Sequence, residues 1–551
     1  MFSIYQTLFT LSLLLLIIGC DRDPVVSDIQ PEPVLTEGSP GYLRLPINGA
    51  IKTLDPGLTE DNTSIELTEQ LFLALTDFDP LTYQVVPELA THWQVYDQGR
   101  RYRFYLRQDT FWSDGQAVTA TDIVWAIQRN IVPKTNAPYA SALYVLTHAK
   151  ALHQGRIDDV SRLGVQAIDP FTVEFQLRHS ISNFPALVSL WVYRPLPRRA
   201  IETWHQHWTL PGKLVSNGPY QLQDWQPGRQ LVLRKNPYYF AADQVMIDEV
   251  HYLTVVENSL GLTLYQHNAL DVMGGAYLPL PRGQLTILKR DPDLREQYRR
   301  QSTLCSYTYG FNVNRSPTDD VRVRKAIAAA INRGLLVEAF MQGAAQASSA
   351  YVVPVDSAVS HEGSPGIDFD PVQARAWLAA AGYPEGKDFP PLTLMYNTSE
   401  IHHTVALAVQ AFLGHSLNIT LTLKQLPWPQ YIQAIEQPQT PHLFRFGWCA
   451  DYPDPYSWLS AVAEPATAVQ RLGWTALDFA QQLERTLRQT NPVARQQGYR
   501  QLEYQLLTEQ AVIVPLYFQT HQYLVKPWLK NWSAMPFGGQ PVRNWGLVNS
   551  K

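Results

Sequence analysis

With only three cysteines in 551 residues, the chain cannot be a disulfide-built scaffold and must rely on hydrophobic cores. It has no block of basic residues, and its formal charge of -5 leaves no electrostatic footprint for nucleic acid. The GxxxxGK[ST] phosphate loop, the HExxH zinc helix and the GxSxG nucleophile elbow are all missing. Gly382-Tyr-Pro-Glu-Gly386-Lys387 imitates a phosphate loop but is one residue short and lacks the Ser/Thr. His402 and His403 are adjacent, so on a helix they diverge by about 100° and make a poor metal pair. Asp451 and Asp454 could be read as an acid/base couple, but Pro453 and Pro455 make that stretch a turn. Neither a metal, a cofactor nor a catalytic activity is expected. There is no internal repeat and no low-complexity block.

At this length one hydrophobic core is exceeded, and two or three domains are expected. A hydrophobic share of 45% against 17% charged residues describes an ordered globular protein. Fifteen Trp and 28 Tyr suit pockets that want an apolar body with a polar tip, although core packing uses most such rings. Short strands and helices are mixed throughout. Residues 102–106 alternate as a strand, and Thr119 to Asp122 form a capping box that opens a helix through Ile131. Residues 65–75 carry a helical apolar pattern, as do 402–413, 476–489 and 493–508. Asp319-Asp320 caps a helix running through Asn332. Asp370-Pro371 starts another that Gly382 closes. Residues 173–177, 231–234, 419–423 and 512–525 read as strands. The fold class is therefore α/β or α+β.

The most informative stretch is 442–459, HLFRFGWCADYPDPYSWL. An apolar run interrupted by one charge, Arg445, reads as a buried strand, and it breaks at Asp451 into a proline-bearing turn. Arg445, Trp448, Cys449 and Asp451 then lie at one end of a sheet. A cation, an anion and an indole this close suit a small zwitterion; the plain alternative is a structural Arg–Asp pair beside a core tryptophan.

The string GWCADYPDP resembles the binding segment of the oligopeptide-binding proteins, which are periplasmic receptors of peptide ABC importers within the family 5 extracellular solute-binding proteins. Further blocks agree, in the family's order: ELATHWQVYDQGRRYRFYLRQDTFWSDGQAVTATDIVWA after Pro87, VSNGPYQLQDW (215–225), RKNPYYF (234–240), FNVNRSPTDDVRVRKAIAAAINR (311–333) and YNTSEIH (396–402). The resemblance implies an α/β, three-domain bilobal periplasmic-binding-protein fold of class II type, with a hinge between the lobes. Domain I would comprise 41–75, 198–304 and 520–551, domain II 76–197 and domain III 305–519. It implies short peptides of about two to five residues as ligand, held partly as an added strand. It also implies a permease and ATPase as partners and a monomeric receptor. Dipeptides, a murein tripeptide, nickel chelates and sugars are the other cargoes of the wider family, and a hydrolase is the alternative outside it.

Residue by residue, Asp451 matches the carboxylate that receives the peptide ammonium. Arg445 and His402 match the positions that meet C-termini of different peptide lengths. Glu60 matches an acid on the opposite lobe, with Asp61 and Asn62 in a backbone-binding segment beside it. Trp428 and Tyr139 match side-chain pocket residues, and Gly447, Trp448 and Cys449 are in the binding string. The resemblance implies a Cys305–Cys449 disulfide. Two departures bear on the pocket's dimensions: Thr308 replaces an aromatic, and Phe446 replaces a small residue.

The N-terminus reads as a targeting segment. Residues 8–18 are an almost unbroken apolar run but too few to span a bilayer comfortably. They lead into Leu16-Ile17-Ile18-Gly19-Cys20, which is similar to a bacterial lipobox in which Cys20 is acylated. Ile17 stands where Leu is usual, and no Lys or Arg precedes the apolar run. Residues 1–19 are expected to be a signal peptide and 20–40, with four prolines, a tether. Asp21 resembles the residue that keeps lipoproteins in the inner membrane. The expected location is the periplasm of a Gram-negative bacterium, anchored by lipid.

Overall fold

The computed structural model describes residues 41–548, apart from 276–277, 342–343, 355–364, 438–440, 465 and 476. The stretches expected to be a signal peptide and a tether, with Cys20 between them, lie outside the described residues.

Two four-stranded sheets share one core. The first orders Leu43–Ile47, Glu249–Thr254, Gln230–Lys235 and Tyr220–Gln226, the first two strands being parallel. The second is antiparallel, in the order Ala90–Tyr96, Arg101–Leu106, Thr172–Gln176 and Val165–Asp169. Along Arg101–Leu106 every second residue is buried, so Tyr102, Phe104 and Leu106 face inward as the period of a strand requires. The helix Ala120–Ile131 begins at the expected capping box, where the Thr119 amide donates to the Asp122 carboxylate at 2.8 Å. Leu43, Leu233 and Tyr252 of the first sheet and Phe104 and Phe175 of the second join a single buried cluster. These sheets together make the first lobe.

The second lobe is built on a seven-stranded sheet with a core on each face. Its order is Val272–Gly274, Ile513–Val525, Tyr298–Phe311, Leu443–Cys449, Leu392–Asn397 and Leu421–Leu426, with Ala345–Ala347 also paired to Ile513–Val525. Tyr307, Tyr309 and the helices Val321–Ala330 and Glu400–Leu417 fill one face. Phe444, Phe446, Trp458 and the helices Leu477–Leu487 and Pro492–Tyr504 fill the other. The antiparallel strands Tyr298–Phe311 and Ile513–Val525 run 14 and 13 residues, and their register slips between Ser302 and Ser306. Such an irregularity bends a strand pair.

Candidate functional site

In the sheet's register Cys305 faces Cys449, Tyr307 faces Gly447, Thr308 faces Phe446 and Tyr309 faces Arg445. Directly opposed residues share a face, so Arg445, Gly447 and Cys449 lie with Tyr307 and Tyr309. Trp448, three residues from Arg445, falls on the other face, where its indole N–H donates to Ser457 Oγ at 3.3 Å. Cation and indole are therefore on opposite faces of the sheet and do not form one grip. Cys305 and Cys449 are joined by a disulfide, with Cα atoms 4.0 Å apart. A Cβ at Gly447 would come within 2.9 Å of the Ser306 carbonyl oxygen, so only glycine lets the two strands approach this closely here.

Thr308 and Phe446 are both buried on the face that carries Phe444 and Trp458, and the Thr308 hydroxyl donates to the Phe446 carbonyl at 2.8 Å. Their departures from the family pattern therefore alter the core behind the strand. Exchanging large and small across one opposed pair roughly conserves volume, the kind of change cores tolerate best.

The Arg445 guanidinium sits over the Tyr307 ring, 5.4 Å from its centre, and donates to Asn397 Oδ1 at 3.2 Å. Its Nε is buried without a partner, and among the described residues it forms no ion pair. The Tyr307 hydroxyl meets His402 Nδ1 at 3.2 Å, on the first turn of Glu400–Leu417, so His402 is half-buried and bonded rather than a solvent-facing helix end. Trp428, 53% exposed, stacks on Tyr431, whose hydroxyl donates to the Arg445 carbonyl. Arg445 is thus linked to His402 through Tyr307 and to Trp428 through Tyr431. Tyr307 and Asn397, which hold Arg445 in place, were missed; both sit in strands where they read as core.

Asp451 follows the strand in a turn. Asp454 ends that turn by capping the helix Pro455–Ala463, accepting from the Tyr456 amide at 2.9 Å. Burial alone pushes the Asp451 carboxyl up to about 6, and among the described residues it has no ion pair. The structural Arg–Asp pair is therefore not formed. Tyr139 lies within electrostatic reach of both Asp451 and Glu60: burial chiefly, and then these two negative charges, push its hydroxyl up. Three acidic or phenolic groups from distant stretches converge there. Glu60 is exposed and pairs with Lys52 at 3.4 Å. Asp61 is a helix cap, accepting from the amide and hydroxyl of Ser64 at 3.1 and 2.9 Å, so its carboxylate is already engaged; Asn62 beside it is exposed.

Asp451 also lines a cavity of about 60 Å³ with Glu69, Glu88, Trp191, Arg194 and Arg543. That holds a few waters and not a peptide. Arg543 bonds Glu88 at 2.8 Å and also Asp77, while Arg194 pairs with Glu69 at 3.4 Å. Burial first, then Asp77, pushes Glu88 up to about 7 against the pull of Arg543. This wall of the cavity is internally paired, and Asp451 is the carboxylate left over.

The model of the bacterial extracellular solute-binding proteins, family 5, matches residues 84–468. The chain belongs to this family. This solute-binding protein is 30% identical over 515 residues to the periplasmic oligopeptide-binding protein OppA of Escherichia coli K12, covering 91% of the chain and 92% of OppA. It is 29% identical to the probable deoxycholate-binding periplasmic protein YgiS of the same organism, over 89% of each chain. Among solved structures it matches the unliganded open form of the murein tripeptide binding protein MppA, with a TM-score of 0.80, 28% identity and coverage of 92% and 97%. The bilobal fold is that of these proteins. No helix among the described residues is long and apolar enough to cross a membrane.

Proposed function

We propose that this solute-binding protein is the peptide receptor of an ABC importer, holding short peptides between its lobes and presenting them to an inner-membrane permease. The observation that carries this reading is a pair of opposite charges on one segment, Asp451 at the mouth of the turn and Arg445 on the strand, neither with an ion-pair partner among the described residues. Arg445 and Cys449 are four residue steps apart along the strand, about 13 Å. An extended peptide of three to five residues spans about 10–18 Å. Asp451 takes the ammonium, with Tyr139 and Glu60 on the facing lobe. Arg445 takes the carboxylate of the shortest ligands, and His402 that of longer ones. Trp428 borders the side-chain space, where hydrated pockets adapt to different residues at small cost. Asp61 and Asn62 contribute main chain. Domains I, II and III have the boundaries given above, and the slip between Ser302 and Ser306 supports a hinge there. Contacts to both lobes let the ligand select the closed state.

Calorimetry on tri- and pentapeptides tests the reading. Arg445→Met should weaken tripeptides by roughly 2–5 kcal/mol, the scale for truncating one partner of a buried charge pair, and pentapeptides by much less. Equal losses at both lengths would remove Arg445 from the C-terminus. No binding of any peptide by the natural protein, with uptake of a bile acid or a metal chelate instead, would end the peptide reading.

The anchor completes the proposal: Cys20 carries lipid and holds the receptor on the periplasmic face of the inner membrane. Cys20→Ser should block processing or release soluble protein with unchanged peptide binding. A variant that is processed normally and stays on the membrane contradicts it.

A further inference from the structure

Three strands and a helix meet at one buried ring. Tyr307 lies in the strand Tyr298–Phe311, directly opposite Gly447 on one side and Tyr517 on the other. Its ring stacks on that of Tyr517, with centres 4.7 Å apart and planes 17° from parallel. Gly447 presents no side chain across the ladder. Arg445, two residues earlier, is the diagonal neighbour, a distance that long side chains cover. Its guanidinium lies over the Tyr307 ring, 5.4 Å from the centre. At the end of the ring the hydroxyl meets His402 Nδ1 at 3.2 Å, and the two ring centres are 5.5 Å apart. His402 stands in the first turn of Glu400–Leu417, the helix that follows the strand Leu392–Asn397. Burial first pushes the Tyr307 hydroxyl up to about 12, against the pull of the Arg445 charge, so it is a neutral phenol at physiological pH. One side chain therefore touches both groups assigned to peptide C-termini, Arg445 with its ring and His402 with its hydroxyl.

We propose that Tyr307 is a positioning residue for both Arg445 and His402, so that carboxylate recognition in short and in longer peptides depends on one side chain through two separable contacts. The proposal rests on Arg445 and His402 being the carboxylate sites of the function proposed above. A ring face attracts a guanidinium, and more strongly away from water. Together with the Asn397 amide oxygen it holds the long Arg445 side chain without neutralising it, which leaves the charge for the ligand. A carboxylate in the same place would compete with the peptide's own. The hydroxyl fixes the rotation of the His402 ring; where it donates to Nδ1, the imidazole proton sits on Nε2, from which a neutral ring can donate to a carboxylate. Phenylalanine would fill the same space in the core, so the hydroxyl is the part that packing does not require.

The test uses the mature protein with a tripeptide and a pentapeptide, each as free acid and as C-terminal amide, with affinities from calorimetry. The preference for acid over amide isolates the contact made by the C-terminus. In Tyr307→Phe the pentapeptide preference should fall by about twofold to tenfold, the scale of one hydrogen bond. The tripeptide preference should hold, because the ring stays beneath Arg445. In Tyr307→Leu the tripeptide preference should fall as well, by about twofold to thirtyfold, the scale of a cation over an aromatic ring. A residue that only packs the core would lower the melting temperature and leave both preferences alone. If Tyr307→Leu does not fold, Tyr307→Phe carries the test, since it removes a single oxygen. A folded Tyr307→Phe with both preferences unchanged, or both lowered alike, overturns the proposal, as does a folded Tyr307→Leu with the natural tripeptide preference. A natural protein with no preference for the acid at either length overturns the assignment of Arg445 and His402, and this proposal with it.

Discussion

Asp451→Asn is expected to cost roughly 2–5 kcal/mol of peptide affinity, because it keeps the shape of the side chain and removes the charge facing the ammonium. The same carboxylate makes binding pH-dependent, and the sign follows from its surroundings. Burial lifts its titration to about 6 in the empty protein, so it takes up a proton as the pH falls through that value. A bound ammonium favours the carboxylate and pulls the titration back down. Affinity is therefore full above about pH 6 and declines below it, by about tenfold per pH unit while one proton must be released on binding. In Asp451→Asn this slope should vanish. Glu88 and Glu503 also titrate near 7, but they do so in both proteins and cancel in the comparison. A natural protein whose affinity is flat between pH 7 and pH 4.5 contradicts the assignment.

Removing the disulfide should have the second large effect. The bridge closes a loop with a sequence separation of 144 residues, and its loss returns roughly 4–5 kcal/mol of loop entropy to the unfolded chain. The double variant Cys305→Ser with Cys449→Ser should therefore unfold at clearly lower denaturant concentration. The folded strands remain paired through the ladder from Ser306 to Phe311, so peptide binding in native buffer should survive. Natural protein made in the periplasm should show no free thiol at these positions when unfolded without reductant. Two reactive thiols, or an unchanged unfolding midpoint in the variant, would count against the bridge.

Local signals in the sequence were reliable where local chemistry decides. Asp370 with Pro371 starts Pro371–Ala380 as expected, and Thr119 with Asp122 starts Ala120–Ile131, because caps are satisfied within a few residues. Tertiary partners defeated other readings. The helical pattern of 65–75 stops at Leu71, since the Leu73 amide is taken by Asn217 and the Ala74 amide by Glu88. The helix expected through Asn332 ends at Ala330, and Asn332 instead caps a separate helix, Arg333–Phe340.

At the site, the family string pointed to Asp451, and strand parity alone would have put Trp448 on the opposite face from Arg445. Tyr307 was not legible, because only the register between strands more than a hundred residues apart sets it beneath the guanidinium. Asp61 reads as part of a backbone-binding segment, and its side chain caps a helix, the carboxylate accepting from the Ser64 amide and hydroxyl. The Ser182–Arg495 bond spans 313 residues and leaves no local trace at all.

The central claim is that Asp451 receives the amino terminus of a peptide lying in the cleft. Calorimetry of one tetrapeptide, free and N-acetylated, against the natural protein and Asp451→Asn tests it most directly. Acetylation should cost the natural protein roughly 2–5 kcal/mol and the variant little, giving a large interaction energy in the four-way cycle. Acetylation that costs the natural protein nothing, or the same loss in both proteins, would show that Asp451 does not bind the ammonium.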